Sequence, residues 1–252
     1  MGLTSSCTDF LSVYAKDSGC VLVANAPSPK GAIDNYFRCV GSKIIIALDG
    51  AFDVLQAHGI QPHYVLGDLD SIQTATPGSD RDRRKVAQSA LQRTRFVPVT
   101  NQNYTDLEKG LAFAYTRGAS SIDIINAMEG AVDHSLGNVG ILSKRHNPRV
   151  PVTLWHDRHS MRFVRGPVHL RTACRVGASW TALGAPSGRI VYTSGLQWNI
   201  EAGCDHPGGL SLSFLTGSLR NIVSHPIVEV VAEGAVLLIE PRWMGDNPLV
   251  PK

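Results

Sequence analysis

The stretch His63-Tyr64-Val65-Leu66-Gly67-Asp68-Leu69-Asp70-Ser71 passes abruptly from an apolar run into an acidic turn. His63 to Leu66 reads as a short strand. Asp68 and Asp70 are two apart, so extended backbone turns both carboxylates to the same side. At ~5 Å apart they repel by roughly 3 kcal/mol at an effective dielectric of about 20. A divalent cation removes that repulsion, and hard oxygen donors with retained water suit Mg²⁺. Gly67 lets the backbone turn tightly beside them. Alone, these residues serve equally as an Asp-rich turn with Ser71 capping a helix. The surrounding chain decides between the two.

On either side, apolar runs alternate with helical stretches. Cys20-Val21-Leu22-Val23-Ala24 and Lys43 to Leu48 lack polar alternation, as in strands covered on both faces of a parallel sheet. Phe96 to Val99 and Ile122 to Ile125 are shorter candidates. Ala51 to His58 reads as a helix closed by Gly59. A second begins at Thr105, where Thr105-x-x-Glu108 forms a capping box, and turns Leu107, Leu111, Ala114 and Tyr115 to one face. A third is expected from about Ser135, with Leu136, Val139 and Leu142 inward. This alternation predicts an α/β fold, a mostly parallel open sheet with right-handed crossovers.

Ligands of open α/β sheets bind beyond the carboxyl ends of the strands. Here those ends lead into Asp49-Gly50, into Gly67 to Ser71, into Thr100 to Asp106, and into Glu129-Gly130-Ala131-Val132-Asp133. Asp49 and Asp106 therefore join the Asp68–Asp70 pair, and their convergence favours the Mg²⁺ reading. The helix opening at Thr105-Asp106 offers unpaired N–H groups and a positive dipole end, which suit a phosphate. Lys109, one turn on, reaches toward the same anion. Plain capping with a surface lysine is the competing reading.

After Pro148 the pattern changes. Pro151 to Leu154, Met161 to Val164, Val168 to Leu170, Trp180 to Leu183, Ile190 to Thr193, Leu210 to Phe214, Ile227 to Val231 and Val236 to Ile239 are short and punctuated by Gly and Pro. Such spacing predicts an all-β sandwich. The expected division is an α/β domain over residues 1–148 and a β-sandwich domain over 149–252.

The 252 residues, 43% hydrophobic and 18% charged, fit an ordinary folded chain. A net charge of +3 is too small to argue for nucleic acid, none is expected as partner, and the basic run Arg81-Asp82-Arg83-Arg84-Lys85 is short and interrupted by acid. No run approaches the ~20 apolar residues that span a bilayer. Met1-Gly2 with Ser6 fits only a loose acylation pattern, so no membrane is expected. Five scattered cysteines without a C-x-x-C pair point to a reducing cytoplasm rather than to zinc or disulfides. His156 and His159 lack a third ligand and read as surface or structural. There is no phosphate loop, dinucleotide fingerprint or nucleophile elbow.

Four segments, Asp49-Gly50-Ala51, Gly67 to Ile72, Gln102 to Lys109 and Gly130 to His134, resemble in order and spacing the ADGGAN, GDFDSI, DQDxTDxxK and GGRxDH motifs of the thiamine pyrophosphokinase family. Gly195-Leu196-Gln197-Trp198-Asn199 looks like that family's GLKWNL strand, and Asp34 to Phe37 is also family-like. The resemblance runs from about residue 20 to 240. It implies a nucleotide domain, a sandwich domain and a homodimer with sites between subunits. The implied reaction moves a pyrophosphoryl group from ATP to thiamine, with release of AMP. Carried over by motif, Asp68, Asp70 and Asp106 hold Mg²⁺ on the triphosphate and Asp49 supports them. Gln102, Thr105, Lys109 and Ser71 lie on the nucleotide side. Asp133 sits beside the transferred group or the thiamine, and Ser213 lies in the thiamine segment.

Several positions depart from the family. DQD reads Asn101-Gln102-Asn103, the Arg of GGRxDH is Ala131, and a Ser-Asn pair reads Ser213-Phe214. The small Gly-Ala-Asn end of ADGGAN gives way to bulkier residues within Asp49-Gly50-Ala51-Phe52. Two acids and one guanidinium are lost, so local charge changes by only about one unit. A different heterocyclic alcohol as acceptor, or a non-catalytic nucleotide- or thiamine-binding role, stays open beside the leading reading.

Overall fold

The computed structural model describes residues 19–27, 31–39, 43–68, 94–156, 159–200, 209–214 and 216–241. These form twelve strands and four helices in two compact units. The described residues up to Ala131, with Arg149–Pro151, make the first; Val132–Pro148 and those from Val152 onward make the second. The helix after Ala131 thus groups with the strands C-terminal to it.

In the first unit five parallel strands are ordered β5-β1-β2-β3-β4. They are β1 (Cys20–Val23), β2 (Ile44–Leu48), β3 (Tyr64–Gly67), β4 (Arg95–Pro98) and β5 (Ile122–Ile125). Every residue of β1 is buried, as its unbroken apolar run requires of a central strand. Helix α1 (Ala32–Cys39) buries Ile33 and Tyr36, and α2 (Ala51–Ala57) buries Phe52 and Leu55. Helix α3 (Asp106–Thr116) turns Leu107, Leu111 and Ala114 inward. Gly110 sets how close α3 lies to the sheet, because a Cβ there would stand 2.6 Å from Leu48 Cδ2 and 3.4 Å from Leu22 Cδ1. Helix α1 was not anticipated. Its Tyr36 hydroxyl and the Lys43 ammonium both donate to Asp123, a buried acid inside β5.

The second unit is an antiparallel network ordered β10-β9-β12-β7-β6, with β11 on β9 and β8 on β12. Its strands are β6 (Val152–His156), β7 (His159–Arg165), β8 (Val168–Ala173), β9 (Ser179–Ser194), β10 (Leu210–Leu212), β11 (Gly217–Ile222) and β12 (Ile227–Pro241). Two pairs of expected strands fuse here. Trp180–Leu183 and Ile190–Thr193 are one strand, β9, and Ile227–Val231 and Val236–Ile239 are one strand, β12. Their glycines do not turn the chain. They permit close backbone approach instead: a Cβ at Gly184 would lie 2.3 Å from Ser213 O, and one at Gly188 2.6 Å from Val236 Cγ2. β12 pairs with β8 through its first half and with β7 through its second, shifting register against β9 around Gly234. Trp180, Ile190, Leu196, Val228, Val236 and Leu238 are among its core.

Helix α4 (Val132–Lys144) begins three residues before the expected Ser135. Its buried side is Ile141 and Leu142, whereas Leu136, expected inward, is 59% exposed.

Candidate active site

In the first unit, β2, β3 and β4 are neighbours, so the segments leaving their carboxyl ends lie side by side. Asp49 comes directly after β2 with φ 50°, held there as its N–H donates to Leu66 O at 2.8 Å and its carbonyl accepts from Phe52 N–H at 3.2 Å. Asp49 is only 5% exposed, and its Oδ1 is buried with no hydrogen-bond partner. An isolated buried carboxylate oxygen is costly, and a cation or donor brought beside it removes that cost. Gly67, at the end of β3, packs directly on Asp49: a Cβ there would come within 2.9 Å of Asp49 Cβ. Asp68 is the next residue.

The segment after β4 is aligned with Asp68 by backbone and side-chain bonds. Val99 N–H donates to Gly67 O at 2.7 Å, and Asn103 N–H donates to Asn101 Oδ1 at 2.9 Å, a side-chain-closed turn. Within it Gln102 Nε2 donates to Asp68 Oδ2 at 2.9 Å. The turn ends at Thr105, where the expected capping box is present: Glu108 N–H donates to Thr105 Oγ1 at 3.2 Å, and Thr105 N–H to Glu108 Oε2 at 3.4 Å. Lys109 Nζ donates to Asp106 Oδ1 at 2.9 Å.

Asp49, Asp68, Gln102, Thr105, Asp106 and Lys109 therefore all lie in segments leaving one sheet edge, two of them joined by the Gln102–Asp68 bond and two by the Lys109–Asp106 pair. Asp70 and Ser71 lie outside the described residues, as do Arg81 to Lys85. Among the described residues, no group of three or more His, Cys, Asp or Glu is gathered as a metal cluster. The buried, unpartnered oxygen of Asp49 and the carboxylate of Asp68, on segments leaving adjacent strands, nevertheless fit a hard divalent ion in the chemistry of their donors.

Asp133 and Ser213 belong to the second unit. Asp133 is exposed in the first turn of α4, where its Oδ1 accepts from His134 N–H at 2.9 Å. Ser213 Oγ bonds Thr216 Oγ1, and Phe214 beside it is exposed. Gly195 has φ 81° and leaves no room for a side chain, since a Cβ would fall 2.1 Å from Ile227 O. The loop it opens is clamped by buried Asn221, whose Oδ1 accepts from Trp198 N–H at 3.2 Å and whose Nδ2 donates to Trp198 O at 2.7 Å. Trp198 itself is 60% exposed.

Sequence reasoning missed Asn126. It leaves β5 with φ 57°, and its Nδ2 donates to Ala24 O at 3.0 Å and Ala26 O at 2.6 Å, tying the segment after β1 to that after β5. These are the two strands between which the chain order reverses, the usual crevice of such sheets. The signal in the sequence was an Asn, a residue tolerant of positive φ, directly after a strand.

The sequence profile described as Thiamin pyrophosphokinase, catalytic domain, matches residues 39–154. Thiamine pyrophosphokinase 1 of Oryza sativa subsp. japonica is 26% identical over 195 residues, 70% of this chain and 65% of that protein. Thiamine pyrophosphokinase 3 of the same plant is 29% identical over 168 residues, 60% of this chain and 56% of that protein. The chain thus covers less than two thirds of the length of these curated relatives. The crystal structure of thiamine pyrophosphokinase from Bacillus subtilis superposes with a TM-score of 0.71 at 18% identity, over 90% of this chain and 100% of that one, a likeness of fold. In sequence the chain is thus similar to thiamin pyrophosphokinases, over residues 39–154 by the profile and along its alignments with the two plant relatives, and in fold it is similar to the Bacillus subtilis structure.

Proposed function

We propose that the chain transfers a pyrophosphoryl group from ATP to the hydroxyl of thiamine, giving thiamine diphosphate and AMP. The observation that carries this reading is the buried, unpartnered oxygen of Asp49, a residue packed against Gly67 directly before Asp68, inside the stretch that matches the catalytic-domain profile. Asp68, Asp70 and Asp106 are the assigned holders of Mg²⁺, with Asp49 behind them. When bound, Mg²⁺ neutralises phosphate charge and orients the triphosphate. Lys109, Thr105 and the N–H groups opening α3 face the phosphate side, with Ser71 assigned there as well. Asp133 and Ser213 serve the acceptor side. As the thiamine hydroxyl oxygen bonds to the β-phosphorus its proton passes to solvent, the bridge between the α- and β-phosphates breaks, and AMP leaves with the electron pair of that bond.

Residues 149–252 are read as a β-sandwich that binds thiamine and carries the contacts of a homodimer with shared sites. A cytoplasmic setting agrees with the free thiols of Cys20, Cys39 and Cys174, and among the described residues no helix is long and apolar enough to cross a membrane.

One observation favours a second reading. Phe214 presents an exposed ring in the segment expected to meet the acceptor, which suits a different heterocyclic alcohol. Incubation with Mg·ATP and a panel of alcohols, with AMP and product monitored together, separates the two. AMP formed with thiamine alone supports the first, and AMP formed with another alcohol but not thiamine supports the second. Tight binding without AMP from any acceptor overturns both.

A further inference from the structure

We infer that Gln102 is a positioning residue for Asp68, fixing the carboxylate in the orientation that receives a divalent cation. This rests on the Mg²⁺ reading above and deepens it. A phosphate contact was the expectation for Gln102. In the structure its amide Nε2 is given to Asp68 Oδ2 at 2.9 Å.

Three features make this more than a chance surface contact. The Val99 N–H to Gly67 O bond of 2.7 Å aligns the two strand ends from which both residues emerge. The Asn101-closed turn, through Asn103 N–H at 2.9 Å, presents Gln102 toward Asp68. Gly67, packed on Asp49, holds the residue before Asp68 against the end of β2. The donor is also chemically apt. A neutral amide holds that carboxylate oxygen without itself supplying positive charge. Groups that orient metal ligands in this way commonly contribute 10- to 100-fold in metal affinity.

The test is Mn²⁺ binding to the full chain without nucleotide, read by electron paramagnetic resonance, for wild type, Gln102→Met, Asp68→Asn and the double variant. Thermal melts confirm that each is folded. Gln102→Met is expected to weaken Mn²⁺ about tenfold, and to have less than about a twofold effect in the Asp68→Asn background, the signature of coupled residues. Unchanged Mn²⁺ affinity in Gln102→Met with a raised KM for Mg·ATP would make Gln102 a phosphate contact and overturn the inference. Asp68→Asn binding Mn²⁺ as tightly as wild type would overturn the metal reading itself.

Discussion

The Lys109 ammonium lies 2.9 Å from Asp106 Oδ1, with the lysine side chain 5% exposed and the aspartate 39%. The partners are therefore unequal: removing the acid strands a buried cation, whereas removing the lysine leaves an acid that reaches water. Asp106→Asn is expected to lower stability by about 1–3 kcal/mol and Lys109→Met by less, both measured by urea unfolding. A larger loss for Lys109→Met would mean the pair is not organised this way. Both variants are expected to lose most pyrophosphoryl transfer.

Gly110 is where α3 meets Leu48. Gly110→Ala raises helix propensity by about 1 kcal/mol but forces a methyl onto Leu48, an overpacking that costs about 1–3 kcal/mol. A net fall in thermal midpoint is expected. Leu48→Ala should then cost less in the Gly110→Ala background than alone. A rise in midpoint would show that the helix accommodates the methyl freely.

Burial pushes the thiols of Cys20 and Cys174 up to about 12. The folded chain thus retains protons that the unfolded chain releases above about pH 9, so stability falls as pH rises from about 9 toward 12. Each thiol contributes up to about 1.4 kcal/mol per pH unit within that window. Unfolding measured across the window should be flatter for the Cys20→Ala, Cys174→Ala variant. In native protein a thiol reagent should label Cys39 well before either buried cysteine; equal rates would contradict the burial.

The Asn221 clamp holds Trp198 in place while leaving its ring outward. Asn221→Ala should cost about 1–3 kcal/mol, whereas Trp198→Ala should change stability by less than about 0.5 kcal/mol. A raised KM for thiamine in Trp198→Ala, at unchanged stability, is expected if the ring meets the acceptor. No kinetic change would remove it from the site.

Much of the first unit was legible because its signals are local. The unbroken apolar run of β1 needs no neighbours to be recognised, and the Thr105–Glu108 cap was observed as expected. The residues at and beyond the carboxyl ends of the strands brought Asp49, Asp68 and Asp106 to one edge. The misses have long-range causes. Gly184 and Gly234 look like turn residues, yet they mark places where other backbone crowds in, so β9 and β12 run on through them. Helix α1 is short and gains its burial from Ile33 and Tyr36 alone. Leu136 continues a helical apolar period but stays exposed. The Gln102–Asp68 bond joins residues 34 apart in sequence and shows only in three dimensions.

The most direct test of pyrophosphoryl transfer is ³¹P NMR of the protein with Mg·ATP and thiamine, run beside Asp68→Asn. Thiamine diphosphate and AMP are expected to grow in equal amounts with wild type and to be nearly absent with the folded variant. ADP with thiamine monophosphate, or equal product from Asp68→Asn, would contradict it.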